Sequence, residues 1–305
     1  MKRSVIGAGN VGGLTAMRLA QEGLGDIFLL DIAKGIAQGK VLDLEDCRGI
    51  LKANYSIRGT DDINEIRNSD IIVVTAGLAR KPGMTREDLL NKNAGILKDV
   101  CLNIKKLAPQ SIVIIVTNPL DLMTRLAQQV TGFPVNKVFG MGVTLDASRF
   151  ANLISKELNV PVNEIEACVI GSHGEGMLPL PRFTKVRGEA LDQLINKDKA
   201  RELTAKTVDR GKEIVSLLGS GSAYFAPSAA IAEIVNSIVK ANSRVLGVSA
   251  YLNGEYGIKD VCIGLPCRLG KNGIEKIIEL ALNQEELQAL QACASKLKEQ
   301  YKEIK

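Results

Sequence analysis

A chain of 305 residues, 46% of them hydrophobic, has apolar material for two domains or one large one and is expected to fold unaided. Its 39 Lys and Arg against 34 Asp and Glu give a formal charge of +5, with the basic residues scattered rather than gathered into a block, which argues against nucleic acid as a partner. Six widely spaced cysteines without a CxxC pair, no signal-peptide core and no run approaching the roughly 18 apolar residues of a membrane helix lead to the expectation of a soluble cytoplasmic protein with reduced thiols, no metal site and no membrane partner.

From residue 1 to about 140, short apolar runs alternate with longer amphipathic ones. The spacing predicts strands at Ser4–Ile6, Ile27–Leu30, Ile71–Thr75 and Ile112–Thr117, and helices at Val11–Gln21, Ile36–Leu51 and Glu87–Leu107. Ile72–Val74 and Ile112–Val116 are apolar at consecutive positions, as in parallel strands covered on both faces. The expected fold class is therefore α/β, with a doubly wound parallel sheet.

After Gly142 the pattern changes to long helices at Thr144–Leu158, Lys199–Leu218 and Ala229–Lys240. Alternating strands follow within Arg244–Arg268 around a hairpin signal at Asn253-Gly254, and a closing amphipathic helix covers Gln284–Ile304. This suggests a second, α+β half, with the division at 1–142 and 143–305, no linker, and an extensive shared interface.

The stretch VIGAGNVGG places GxGxxG at Gly7, Gly9 and Gly12, directly after the first predicted strand and opening the first helix. Gly7 permits a tight turn, Gly9 lets the backbone approach a pyrophosphate, and Gly12 lets helix and strand pack closely, with Ala8, Asn10 and Val11 completing an anion cradle at the helix start. Asp31 ends the second strand, where a carboxylate can accept hydrogen bonds from ribose hydroxyls. That favours NAD, although Lys34 nearby leaves NADP open.

TAGLARKPGMTRED leaves the carboxyl edge of the sheet and carries Arg80 and Arg86 around Lys81, Pro82 and Gly83, a loop able to swing over a bound molecule. VTNP brings Asn118 to the same edge, and LDASRF sets Asp146 and Arg149 three apart on one helix face. His173, the only histidine, stands in the glycine-rich stretch GSHGEG. An imidazole exchanges a proton near neutral pH, and Asp146 is the candidate carboxylate to fix its tautomer. Gly171, Gly174 and Gly176 are expected to keep side-chain bulk away from the ring.

These stretches carry a resemblance: GAGNVGG, LLDI, TAGLARKPGMTREDLLNKNA, TNPLD, LDASRF, GSHGEGMLP and GSAYFAPSAA resemble, in order, the lactate and malate dehydrogenase family, and within it the malate dehydrogenases of the lactate-dehydrogenase-like type. The resemblance implies an NAD-binding Rossmann domain followed by a catalytic domain, in a homodimer or homotetramer. It implies that His173 is the proton donor and acceptor, Asp146 its orienting carboxylate, and Arg149 the fork that holds the substrate C1 carboxylate. Arg86 would polarise the ketone, with Asn118 directed at the same oxygen. Thr75, Ala76, Gly77, Asn93, Val116, Thr117 and Asn118 match cofactor contacts. Arg80 falls where the lactate enzymes have a glutamine, so a second carboxylate is implied and the expected substrate is the dicarboxylate pair malate and oxaloacetate. The competing readings are a dehydrogenase of lactate or another 2-hydroxy acid and, from a different class, a non-catalytic NAD-sensing module.

Overall fold

The consecutive apolar runs form the centre of a sheet. A computed structural model describes residues 1–78 and 85–304. In it β1 (Lys2–Ile6), β2 (Asp26–Leu30), β3 (Ile57–Thr60), β4 (Ile71–Val74), β5 (Ile112–Ile115) and β6 (Val138–Gly140) pair in parallel, ordered β3-β2-β1-β4-β5-β6. The connections are α1 (Asn10–Gln21), α2 (Ile36–Leu51), α3 (Arg86–Leu107) and α4 (Leu120–Thr131). Ile72 and Val74 share a core with Leu97 and Ile104 of α3, while Ile71 and Val73 share the opposite core with Leu19 of α1. Burial on both faces explains why these strands lack polar alternation.

The expected helices and central strands are present, with ends shifted by a few residues, whereas β3, β6 and α4 had not been anticipated. The two strands have four and three residues, too short for a periodic signal. The 12-residue α4 is bracketed by Pro119 at its start and by Gly132, at φ +65, after its end, boundary residues that mark a helix in sequence.

The second half contributes α5 (Thr144–Leu158), β7 (Ile165–Glu166), β8 (Val169–Gly171), β9 (Met177–Pro179), β10 (Lys185–Val186), β11 (Glu189–Ala190), α6 (Leu191–Leu194), α7 (Lys197–Leu218), α8 (Phe225–Lys240), β12 (Val245–Asn253), β13 (Lys259–Gly270), β14 (Gly273–Ile277) and α9 (Gln284–Lys302). β12 and β13 are antiparallel, Val245 opposite Arg268. Their connection is longer than the predicted two-residue turn: a 3-10 turn at Glu255–Gly257 follows Gly254.

The halves do not form separate sheets. β12 pairs antiparallel with β6 at Ser249 and Gly140, so among the described residues one sheet of eleven strands runs from β3 through β6, β12, β13 and β8 to β9, with β14 on β13. A Cβ at Gly140 would stand 2.5 Å from Thr124 Oγ1 and 3.0 Å from Ser249 Cβ, so the junction requires glycine. α8 crosses back over the first half, burying Ile231, Ile234 and Val235 in the core that holds Leu19 and Val73. This places α4, α5, β12 and the β8–β9 hairpin around the carboxyl edge of β4 and β5.

Candidate active site

The glycine loop between β1 and α1 is built as an anion cradle. Gly7 has φ +105, a backbone conformation that disfavours side chains. A Cβ at Gly12 would run into the Gly7 carbonyl oxygen, so helix and strand meet without intervening atoms. At Gly9 a Cβ would meet nothing within 4 Å, and no side chain caps the helix start there. The first amides of α1, at Asn10, Val11 and Gly12, therefore carry the positive end of the helix dipole with no protein anion on them among the described residues. Asp31 is fixed beside the loop: Oδ2 accepts the Ala8 N–H at 2.6 Å and Oδ1 the Ala33 N–H at 3.0 Å. Lys40 of α2 donates to the Gly9 carbonyl at 3.2 Å, a cation at the cradle that sequence spacing did not single out. Open space, an uncapped helix start and a lysine fit the pyrophosphate of a dinucleotide, with Asp31 placed for its ribose.

Thr75, Ala76, Gly77, Val116, Thr117 and Asn118 follow β4 and β5 at the carboxyl edge. Thr75 Oγ1 donates to the Gly7 carbonyl at 2.9 Å and Thr117 Oγ1 to the Ala76 carbonyl at 2.6 Å, which locks the two edges to the glycine loop. Asn93 is 1% exposed and its amide is engaged by the protein: Oδ1 accepts the Leu78 N–H at 2.8 Å, and Nδ2 donates to the Asn118 carbonyl at 2.8 Å. It joins the segment before the arginine loop to the Asn118 edge. Asn118 itself is exposed at the rim of a cleft of about 660 Å³ that also takes in Asp121, Ser172, His173 and Cys293. Arg80 lies outside the described residues. Arg86 opens α3 as the first residue after the N-cap Thr85, inside the Thr85–Asp88 capping box, and its side chain also lies outside the described residues.

His173 occupies the turn between β8 and β9. Its Nδ1 lies 2.8 Å from Asp146 Oδ2, and the other Asp146 oxygen takes Arg149 at 3.2 Å. Asp146 belongs in the first turn of α5, where the helix dipole favours a carboxylate, and its side chain is fully buried. Burial alone would push the His173 imidazole down, but the charge and hydrogen bond of Asp146, then the charge of Asp121, outweigh it and raise the ring's proton affinity above the ordinary histidine value. Arg149 is 11% exposed, and its Nε is buried without a hydrogen-bond partner among the described residues, a donor left for an anion.

The glycines around His173 serve the hairpin more than the ring. A Cβ at Gly171 would strike the Gly176 carbonyl, and one at Gly176 would stand 2.8 Å from Cys293 Sγ of α9. Only Gly174, at φ +101, faces open space. Sequence reasoning also passed over Asp121 in α4, which accepts the His173 backbone N–H at 3.0 Å; its signal was a carboxylate three residues past Asn118 at a helix start.

Residues 1–140 match the family model described as lactate/malate dehydrogenase, NAD binding domain, and residues 143–305 match the lactate/malate dehydrogenase, alpha/beta C-terminal domain. A malate dehydrogenase of Methanosarcina barkeri is 49% identical over 289 residues, 95% of this chain and 94% of the relative. The solved apo malate dehydrogenase of Picrophilus torridus is similar at 41% identity and a TM-score of 0.95, covering 99% and 96% of the two chains. Plasmodium falciparum malate dehydrogenase in complex with NADH is 32% identical with a TM-score of 0.93, covering 99% and 98%. A Cryptosporidium parvum lactate dehydrogenase with lactic acid and nicotinamide adenine dinucleotide is 37% identical with a TM-score of 0.95, covering 99% and 96%.

Proposed function

The chain belongs to the lactate/malate dehydrogenase family, and from that membership we propose that it is an NAD-dependent malate dehydrogenase interconverting (S)-malate and oxaloacetate. The 2.8 Å pairing of His173 Nδ1 with Asp146 carries this assignment. With Nδ1 engaged by Asp146, Nε2 is left to take the hydroxyl proton of malate and to return it to the ketone of oxaloacetate. Arg149 holds the C1 carboxylate through donors that Asp146 leaves unused. The role of stabilising the charge that builds on the C2 oxygen is assigned to Arg86 and Asn118, and that of binding the second carboxylate to Arg80. NAD, cradled by Gly7–Gly12 with its ribose on Asp31, supplies the hydride acceptor and donor when bound. Thr75, Ala76, Gly77, Asn93, Val116 and Thr117 shape that side of the cleft.

In this reading residues 1–142 form the cofactor half and 143–305 the substrate half, and neither nucleic acid nor membrane takes part. Among the described residues no helix is long and apolar enough to cross a membrane. Free thiols at all six cysteines support a cytoplasmic setting, where malate oxidation is a step of the tricarboxylic acid cycle. Ile36, Leu42 and Ile50 of α2 are 48%, 63% and 84% exposed, apolar side chains on one side of the helix that support a homodimer or homotetramer.

The fold-level likeness to a lactate dehydrogenase keeps pyruvate as the competing substrate. Following NADH absorbance with oxaloacetate and with pyruvate, in the wild type and in Arg80→Gln, separates the two. The expected wild type prefers oxaloacetate and the variant moves toward pyruvate; a wild type that prefers pyruvate overturns the dicarboxylate assignment.

A further inference from the structure

Asp121 has no place in the proton path, yet among the described residues it and Asp146 are the two buried acids, 3% and 0% exposed, and both bear on His173. It is the second residue of α4, set there by the turn of the chain at Pro119. Oδ2 accepts from Ser172 Oγ at 2.8 Å and from the His173 backbone N–H at 3.0 Å, and Oδ1 accepts from Ser249 Oγ at 2.6 Å. One carboxylate thus joins α4, β12 at the junction of the two halves, and the turn between β8 and β9. An ionised carboxylate only accepts hydrogen bonds, which matches three donors, one of them a backbone amide that cannot reverse its role.

We infer that Asp121 is a positioning residue for the proton carrier, holding the His173 backbone from α4 and β12 so that the ring meets Asp146. This rests on the reading of His173 as the carrier. Two clamps divide the work: Asp146 orients the ring, and Asp121 sets the backbone from which it projects. Asp121 also adds charge. Burial leaves its own carboxyl raised on balance, opposed in part by hydrogen bonds from Ser249 and Ser172 and by the charge and N–H of His173. Among the described residues the charged groups that act on the ring are Asp146 and Arg149 from α5 and Asp121 from α4; Asp121 in turn acts on the thiols of Cys262 on β13 and Cys293 on α9. The two thiols beside Asp121 are held neutral by burial, so among the described residues His173 is the one positive charge that acts on its carboxylate.

Because His173 is the only histidine, an NMR titration of imidazole signals reads it without assignment. In Asp121→Asn the titration midpoint is expected to fall, turnover to drop about a hundredfold, as for a misplaced catalytic group, and NADH affinity to stay unchanged. An unmoved titration midpoint, with turnover retained or lost, overturns the inference, since a merely structural residue has no hold on the ring's proton. If Asp121→Asn does not fold, Ser249→Ala decides: it keeps the charge but removes one tie, and wild-type turnover in it overturns the inference. His173→Asn separates the two levels. Turnover surviving in that variant brings down the assignment of the proton carrier, whereas an inactive His173→Asn beside a wild-type-like Asp121→Asn brings down only the role given to Asp121.

Discussion

Asp146 divides its two oxygens between His173 Nδ1 at 2.8 Å and Arg149 at 3.2 Å, so one buried carboxylate orients both the proton carrier and the arginine assigned to the substrate. Asp146→Asn keeps the shape and removes the charge. Because an amide offers either an oxygen or an N–H to the ring, the tautomer is no longer fixed. Turnover is expected to fall by roughly 10²–10⁴, the range for general acid–base groups, with NADH affinity unchanged. Steady-state rates with oxaloacetate and a fluorescence titration with NADH check both halves of this statement. Wild-type turnover would remove Asp146 from the mechanism.

The raised proton affinity of His173 sets a pH dependence of opposite sign in the two directions. Malate oxidation needs the neutral ring, so its kcat/KM should rise with pH through a midpoint above 6.5, the ordinary histidine value. Oxaloacetate reduction needs the imidazolium and should fall across the same range. The same group links pH to stability: its folded proton affinity exceeds the unfolded one, so its contribution is complete below about pH 6.5 and is lost as pH rises through the raised value. The urea midpoint difference between wild type and His173→Asn should therefore be larger at acid than at alkaline pH. A difference that does not change with pH would mean that Asp146 leaves the ring's affinity as it is in the unfolded chain.

The pairing of Asp146 with Arg149 could be read from sequence because three residues on a helix set the contact locally. The glycine loop was legible for the same reason, since its turn, its helix start and its strand are contiguous. His173 and Asp146 are 27 residues apart, and what joins them in sequence is the chemistry of an imidazole beside a carboxylate and the family resemblance, not spacing. Asp121 left only the faint trace of a carboxylate at a helix start: its three donors are 51, 52 and 128 residues away, and nothing local marks contacts made by β12 and by the turn after β8. The continuous sheet escaped notice for a related reason. A change of pattern after Gly142 marks where one half gives way to the other and carries no sign that β6 and β12 are hydrogen-bonded neighbours across it.

Arg149→Lys tests geometry rather than charge. Arg149 keeps one guanidinium nitrogen on Asp146 and has a buried Nε without a partner among the described residues, so in the proposed role the same planar group serves its carboxylate neighbour and an anion. A lysine retains the charge but offers a single nitrogen, which cannot serve both. Loss of one charge-assisted pair costs about 1.5–3 kcal/mol, or roughly 10- to 150-fold in kcat/KM for oxaloacetate. The loss is expected chiefly in KM if the contact forms equally with bound substrate and transition state. An unchanged kcat/KM would exclude Arg149 from substrate binding.

Gly9 and Gly12 can be told apart by experiment. A Cβ at Gly12 meets the Gly7 carbonyl oxygen and stands 2.8 Å from Thr75 Oγ1, so Gly12→Ala forces α1 away from β1. Overpacking of this kind costs about 1–3 kcal/mol, and both the urea midpoint and NADH affinity should fall. A Cβ at Gly9 meets nothing within 4 Å, and Gly9 has φ −65, which alanine adopts freely, so Gly9→Ala should unfold at the wild-type urea concentration. Its methyl nevertheless projects where the pyrophosphate must approach the uncapped amides of α1. NADH affinity should drop about tenfold or more, equivalent to ~1.4 kcal/mol, without any change in stability. Tight NADH binding by a stable Gly9→Ala protein would mean that the phosphates do not pass over this glycine, and the cradle between β1 and α1 would need another ligand.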